Sequence, residues 1–215
     1  MQFSAFDELF QIFAFYIPAL ALVLYFCFRN TPRSLIKQNY FTDNTVFFTA
    51  RLKFAALVIP CAACLLLIGA FTVIAGTLLE KVEDFPPVFI PVIESPDSFF
   101  AVFVMILSCV IAAYFEESFF RVLLYNSLIA SGLQKIPAAL AASLLFAVCH
   151  AWQGFWGVTG AFLSGVFLAF LFEKNKSLHL IALSHALYNI TVYLLVFVKA
   201  VIFHGSHYSF LIFHY

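Results

Sequence analysis

Long apolar runs separated by short polar breaks dominate this chain: Leu9 to Phe28, Phe54 to Leu79, Phe99 to Leu133, Pro137 to about Gln153, a run through Gly157 and Ala169, and Leu178 to Phe203. Most are near or beyond the roughly 20 residues a helix needs to cross hydrocarbon. None alternates apolar and polar residues as a membrane barrel strand does, so the expected spans are helices. The fold class this predicts is all-α, a polytopic transmembrane helix bundle of about six to seven spans. Its expected parts are a two-span N-terminal region, 1–98, a helix bundle, 99–203, and a tail, 204–215.

The breaks orient the spans. The loop from Arg29 to Lys53 carries Arg29, Arg33, Lys37, Arg51 and Lys53 against Asp43. Such a loop belongs in the cytoplasm, which puts the N-terminus outside. Glu80 to Ser98, with Pro86, Pro87, Pro91 and Pro96, then reads as an external loop. The run from Phe99 to Leu133 is too long for one upright span, which predicts a strongly tilted helix or a span followed by an inner amphipathic segment. Pro137 suits the first turn of the next helix. Trp152 and Trp156 place that helix's far end at the outer interface. Gly157, Ala161, Gly165 and Ala169, four apart, form a small-residue ridge where another helix can approach. Glu173 to Lys176 reads as a short internal loop.

Composition sharpens this picture. Of 215 residues, 64% are hydrophobic and 10% charged, with mean hydropathy +1.03, outside the soluble globular range. An integral membrane protein in contact with lipid follows, and the compact six-span layout suggests a bacterial inner (cytoplasmic) membrane. A net charge of +0 offers no basic surface for nucleic acid. Met1 to Glu8 has neither a basic stretch nor a small-residue cleavage site, so the first span is expected to remain. The cysteines, Cys61-x-x-Cys64 included, lie in apolar runs and read as small hydrophobes. The 30 Phe read as lipid-facing packing.

Against that background, Glu116, Glu117 and Arg121 inside the third run demand explanation. A charge near the bilayer centre costs at least about 2.5 to 3.5 kcal/mol. Glu117 and Arg121, four apart, meet on one helix face and make an ion pair. Glu116 lies about 100° further round and cannot share Arg121 equally, which makes it a candidate proton acceptor for water. His150 on the fourth run, and His185 and Asn189 one turn apart on the sixth, add two imidazoles and an amide to the same interior. His179, His204, His207 and His214 fall near interfaces and read as bystanders.

Glu116-Glu117-Ser118-Phe119-Phe120-Arg121, Phe146-Ala147-Val148-Cys149-His150 and His185-Ala186-Leu187-Tyr188-Asn189 have the forms Glu-Glu-x-x-x-Arg, Phe-x-x-x-His and His-x-x-x-Asn, in order on successive apolar runs. This resembles the CPBP family, the type II CAAX prenyl endopeptidases and bacteriocin-processing proteins. The resemblance covers about the C-terminal half. It implies a glutamate-dependent intramembrane endopeptidase acting on a membrane-associated or lipidated protein or peptide. Glu116 would activate water, His150 and His185 would line the site, and His185 with Asn189 would stabilise the oxyanion. Glu117 and Arg121 would support it. No cofactor is required on this reading. Zn held by His150, His185 and Glu116 is the alternative, less favoured because Asn189 is a poor Zn ligand and a good donor, and no His-Glu-x-x-His occurs.

One expectation strains the scheme. At about 1.5 Å per residue, His185 lies about 13 Å past Lys176, whereas His150 lies about 22 Å past Lys135. Bringing them level needs tilt of the fourth helix or a late start to its embedded part. A non-enzymatic reading competes: a scaffold, or a bacteriocin-immunity protein retaining the fold. An ion carrier would need a polar path, for which the sixth run offers little beyond Ser184 and Thr191.

Overall fold

The computed structural model describes residues 9–30, 47–79 and 99–204. Most of the two long loops that set the expected topology, together with His207 and His214, lies outside the described residues. Helix α1, residues 9–30, opens with a π-helical turn, Ile12–Tyr16, just before Pro18. The wider turn lies where Pro18 removes a backbone donor. Helix α2 is Phe47–Leu79. Helix α3, residues 99–130, joins the α-helix Phe99–Glu117, the π-helical stretch Ser118–Tyr125 and a last α-turn Asn126–Ala130. Helix α4 is Lys135–Val148, α5 is Gly154–Asn175 after a 3-10 turn at Ala151–Gln153, and α6 is Leu178–His204.

Four segments are long and apolar enough to cross a membrane, Ala56–Leu79, Phe100–Ala130, Ala151–Asn175 and Leu178–Leu195. Leu9–Val23 and Lys135–Val148 are shorter apolar helices. The all-α membrane bundle expected from the apolar runs is thus the observed architecture. The third run is one unbroken helical stretch, so its excess length is carried along the helix and not by a separate surface segment.

Helix α4 is shorter than expected: it stops at Val148 and not near Gln153. The cause is local. His150 Nδ1 donates to the carbonyl of Phe146 at 2.8 Å, while the His150 backbone N–H turns to Ala147 O at 2.9 Å. The imidazole takes the acceptor that the next helical N–H would have used, which caps the helix. Gly154, at φ 71°, then reverses the chain into α5. Trp152 is exposed but Trp156 is buried, so of the pair only Trp152 can face a lipid headgroup region.

Helices α3 to α6 close around a core that includes Val122, Tyr125, Ala142, Leu168, Phe172 and Ile181. Tyr125 Oη on α3 donates to Glu173 Oε2 on α5 at 2.8 Å, and Lys135 and Lys176 also pair with Glu173. The segment expected to be a simple loop therefore fastens three helices at one end of the bundle. Of the small-residue ridge, Gly165 and Ala169 are buried, whereas the space beside Gly157 is filled by Gln153, one turn earlier in the chain. A Cβ on Gly165 would stand 3.1 Å from Ser143 Cβ and 3.3 Å from Phe146 Cδ1. Gly165→Ala is expected to cost about 1 to 3 kcal/mol through overpacking. That exceeds the gain in helix propensity, at most about 1 kcal/mol. Thermal unfolding in detergent checks it, and a variant more stable than the parent contradicts it.

Candidate active site

The wide π-helical turn begins at Ser118, directly after the two glutamates. Such turns are uncommon and recur at functional positions. Here the four-residue spacing still stacks the pair expected from sequence: Arg121 Nε lies 3.1 Å from Glu117 Oε2, with both side chains buried. That contact lacks the alignment of a hydrogen bond and is a charge pairing. Arg121 Nη2 donates to Gly165 O at 3.2 Å, and the guanidinium lies 4.6 Å from the Phe146 ring centroid. The cation is thus held by a carboxylate, a carbonyl and an aromatic face from three helices.

Glu117 has a second partner that the sequence does not reveal. Its Oε1 lies 2.9 Å from His185 Nδ1. A carboxylate only accepts, so Nδ1 donates and the ring orientation is fixed. This leaves His185 Nε2 facing the other glutamate, 3.8 Å from Glu116 Oε2. Glu117 is wholly buried, whereas the Glu116 side chain retains 25% exposure. Adjacent carboxylates therefore have separate surroundings: one locked by Arg121 and His185, the other partly exposed. A gap of 3.8 Å is too long for a direct hydrogen bond and suits a bridging molecule.

His150 reaches this group through one ring. Its centroid lies 4.5 Å from that of Phe146, which meets His185 edge-on at 6.0 Å. Phe146 is buried, and also packs edge-on against Phe120 at 5.1 Å. Both imidazoles thus border one phenyl ring. Among the described residues His150 makes no ion pair or hydrogen bond with either glutamate or with His185. Asn189 is half-buried one turn beyond His185. Tyr188 lies between, 6.5 Å from His185 by ring centroids. Its hydroxyl approaches helix α2 where Gly69 leaves room.

Three participants escape a reading of the sequence alone. Phe146 stands there only as a motif letter, although Phe-x-x-x-His places its ring on the same helix face as His150. Gly165 stands as one of a generic packing ridge, yet its carbonyl holds Arg121. Tyr114 shares a hydrogen bond of 2.9 Å with His179 Nδ1, so His179, expected to be a bystander, links α3 to α6. Among the described residues, no three of His, Cys, Asp and Glu are placed to hold a metal ion.

Residues 98–191 match the protein-family model described as type II CAAX prenyl endopeptidase Rce1-like. That interval holds every residue of the site, from Glu116 to Asn189. Searches of curated proteins and of solved structures found no match.

Proposed function

We propose, from the premise that residues 98–191 belong to the Rce1-like type II CAAX prenyl endopeptidase family, that this integral membrane protein hydrolyses peptide bonds of membrane-associated or lipidated substrates. The observation carrying the proposal is the open Glu116 carboxylate 3.8 Å from His185 Nε2, backed by the buried Arg121, Glu117 and His185 chain. Water between Glu116 and His185 gives its proton to Glu116, and its oxygen bonds to the scissile carbonyl carbon. As the tetrahedral intermediate collapses, the C–N bond breaks and Glu116 passes the proton to the leaving amine. Asn189, one turn beyond His185, and His150, beside the Phe146 ring, are the groups assigned to the carbonyl side to meet the oxyanion. Since His185 Nδ1 is committed to Glu117, His185 serves chiefly to orient the water.

The substrate class follows from position. A site built from apolar helices favours chains already tethered to the bilayer, whether by a lipid anchor, prenyl groups included, or by a short apolar tail. The basic loop 29–53 supports an N-terminus outside, and the compact layout supports a bacterial cytoplasmic membrane. Comparing membrane peptidomes from cells carrying the wild type, Glu116→Ala or His150→Ala tests the function. Substrates are expected to accumulate uncleaved in both variants while the protein still inserts. A phenotype from Glu116→Gln identical to wild type would favour the scaffold or immunity reading. Cleavage by the purified protein is expected to survive chelator; loss of activity restored by Zn would overturn the metal-free mechanism.

A further inference from the structure

We infer that one water molecule is held inside the bundle by Arg121, Glu117, Ser118 and Ser143, and that Ser143, through it, is a positioning residue for the site. Four buried side-chain atoms lack a hydrogen-bond partner among the described protein groups: Glu117 Oε2, Ser118 Oγ, Arg121 Nη1 and Ser143 Oγ. Their side chains are all buried. Leaving such groups bare costs more than an ordinary hydrogen bond contributes. Within a membrane-spanning bundle, bulk water is not at hand to satisfy them.

Measured distances place Arg121, Glu117 and Ser143 in one neighbourhood. Gly165 O accepts from Arg121 Nη2 at 3.2 Å, and a Cβ at Gly165 would stand 3.1 Å from Ser143 Cβ. Phe146, one turn after Ser143, lies beneath the same guanidinium at 4.6 Å. Arg121 and Ser143 therefore border the same two residues. Glu117 Oε2 is 3.1 Å from Arg121 Nε, and Ser118 stands three residues before Arg121 on the same helix. Arg121 Nη1 can only donate, Glu117 Oε2 can only accept, and the two hydroxyls do either. An anion would meet Glu117 and a cation would meet Arg121. A small neutral molecule with two donors and two acceptors, water, satisfies the set.

Such a water joins α3 to α4, whose next two turns carry Phe146 and His150. Its kinetic consequence rests on the endopeptidase reading; its presence does not. Two measurements test it. An experimental structure of the full chain in a lipid mesophase, at a resolution that places waters, is expected to show density within hydrogen-bond distance of Arg121 Nη1 and Ser143 Oγ. Ser143→Ala and Ser118→Ala are each expected to lower kcat about tenfold with KM unchanged, as small misplacements of reacting groups do. Because both would disturb one water, the double variant is expected to lose about tenfold and not about a hundredfold. Hydroxyls bonded directly to backbone carbonyls with no density between them, or fully additive losses, would overturn the inference. A wild type that cleaves nothing but shows the density would sink the enzymatic reading and leave the water standing.

Discussion

Glu116→Gln is expected to lower kcat by about 10² to 10⁴-fold, the usual worth of a positioned general base, with the folded bundle unchanged. The amide matches the carboxylate in shape but cannot take a proton from water. Glu116 is a quarter exposed, and among the described residues the buried contacts linking Arg121, Glu117 and His185 close without it. The expected signature is therefore a catalytic loss with an unshifted thermal midpoint in detergent. Turnover of a membrane-anchored peptide, followed by mass spectrometry of both products, checks it. A Glu116→Gln protein that cleaves at the wild-type rate would remove Glu116 from the reaction. A large fall in stability would instead make it a structural acid.

Much of this arrangement is legible in the chain, for physical reasons. Apolar runs near membrane thickness specify helices because hydrocarbon leaves the backbone no outside partner, and all six runs are helical. Spacing of four likewise specifies the Glu117–Arg121 pair. What escapes are contacts set by the angles between helices. No local pattern announces that His185 Nδ1 reaches Glu117, or that Tyr125 reaches Glu173 on another helix. The end of α4 escapes for a different reason. Apolar residues continue past Val148, and the signal that stops the helix is one side-chain hydrogen bond, from His150 to Phe146 O. The same bond fixes the His150 ring against Phe146, whose other neighbours include His185.

The largest stability effect is expected at Arg121. Arg121→Met keeps side-chain length and bulk but leaves Glu117 buried beside His185 without its cation. Breaking a buried pair by removing one partner costs about 3 to 5 kcal/mol, because the remaining charge is uncompensated. At the surface-facing cluster, removing Lys135, whose side chain is 70% exposed, is expected to change stability by at most about 1 kcal/mol. The contrast separates a buried charge network from a decorative one. Pairing Arg121→Met with Glu117→Gln removes both charges, and the double variant is expected to recover much of the lost stability. It should not recover cleavage, since an amide at position 117 is a weaker acceptor for His185 Nδ1 than the carboxylate, and the imidazole loses its fixed orientation. Denaturant unfolding in detergent, read beside turnover, separates the two effects. Equal stability of Arg121→Met and wild type would mean that Glu117 carries no buried charge, and the division of labour between the two glutamates would fall with it.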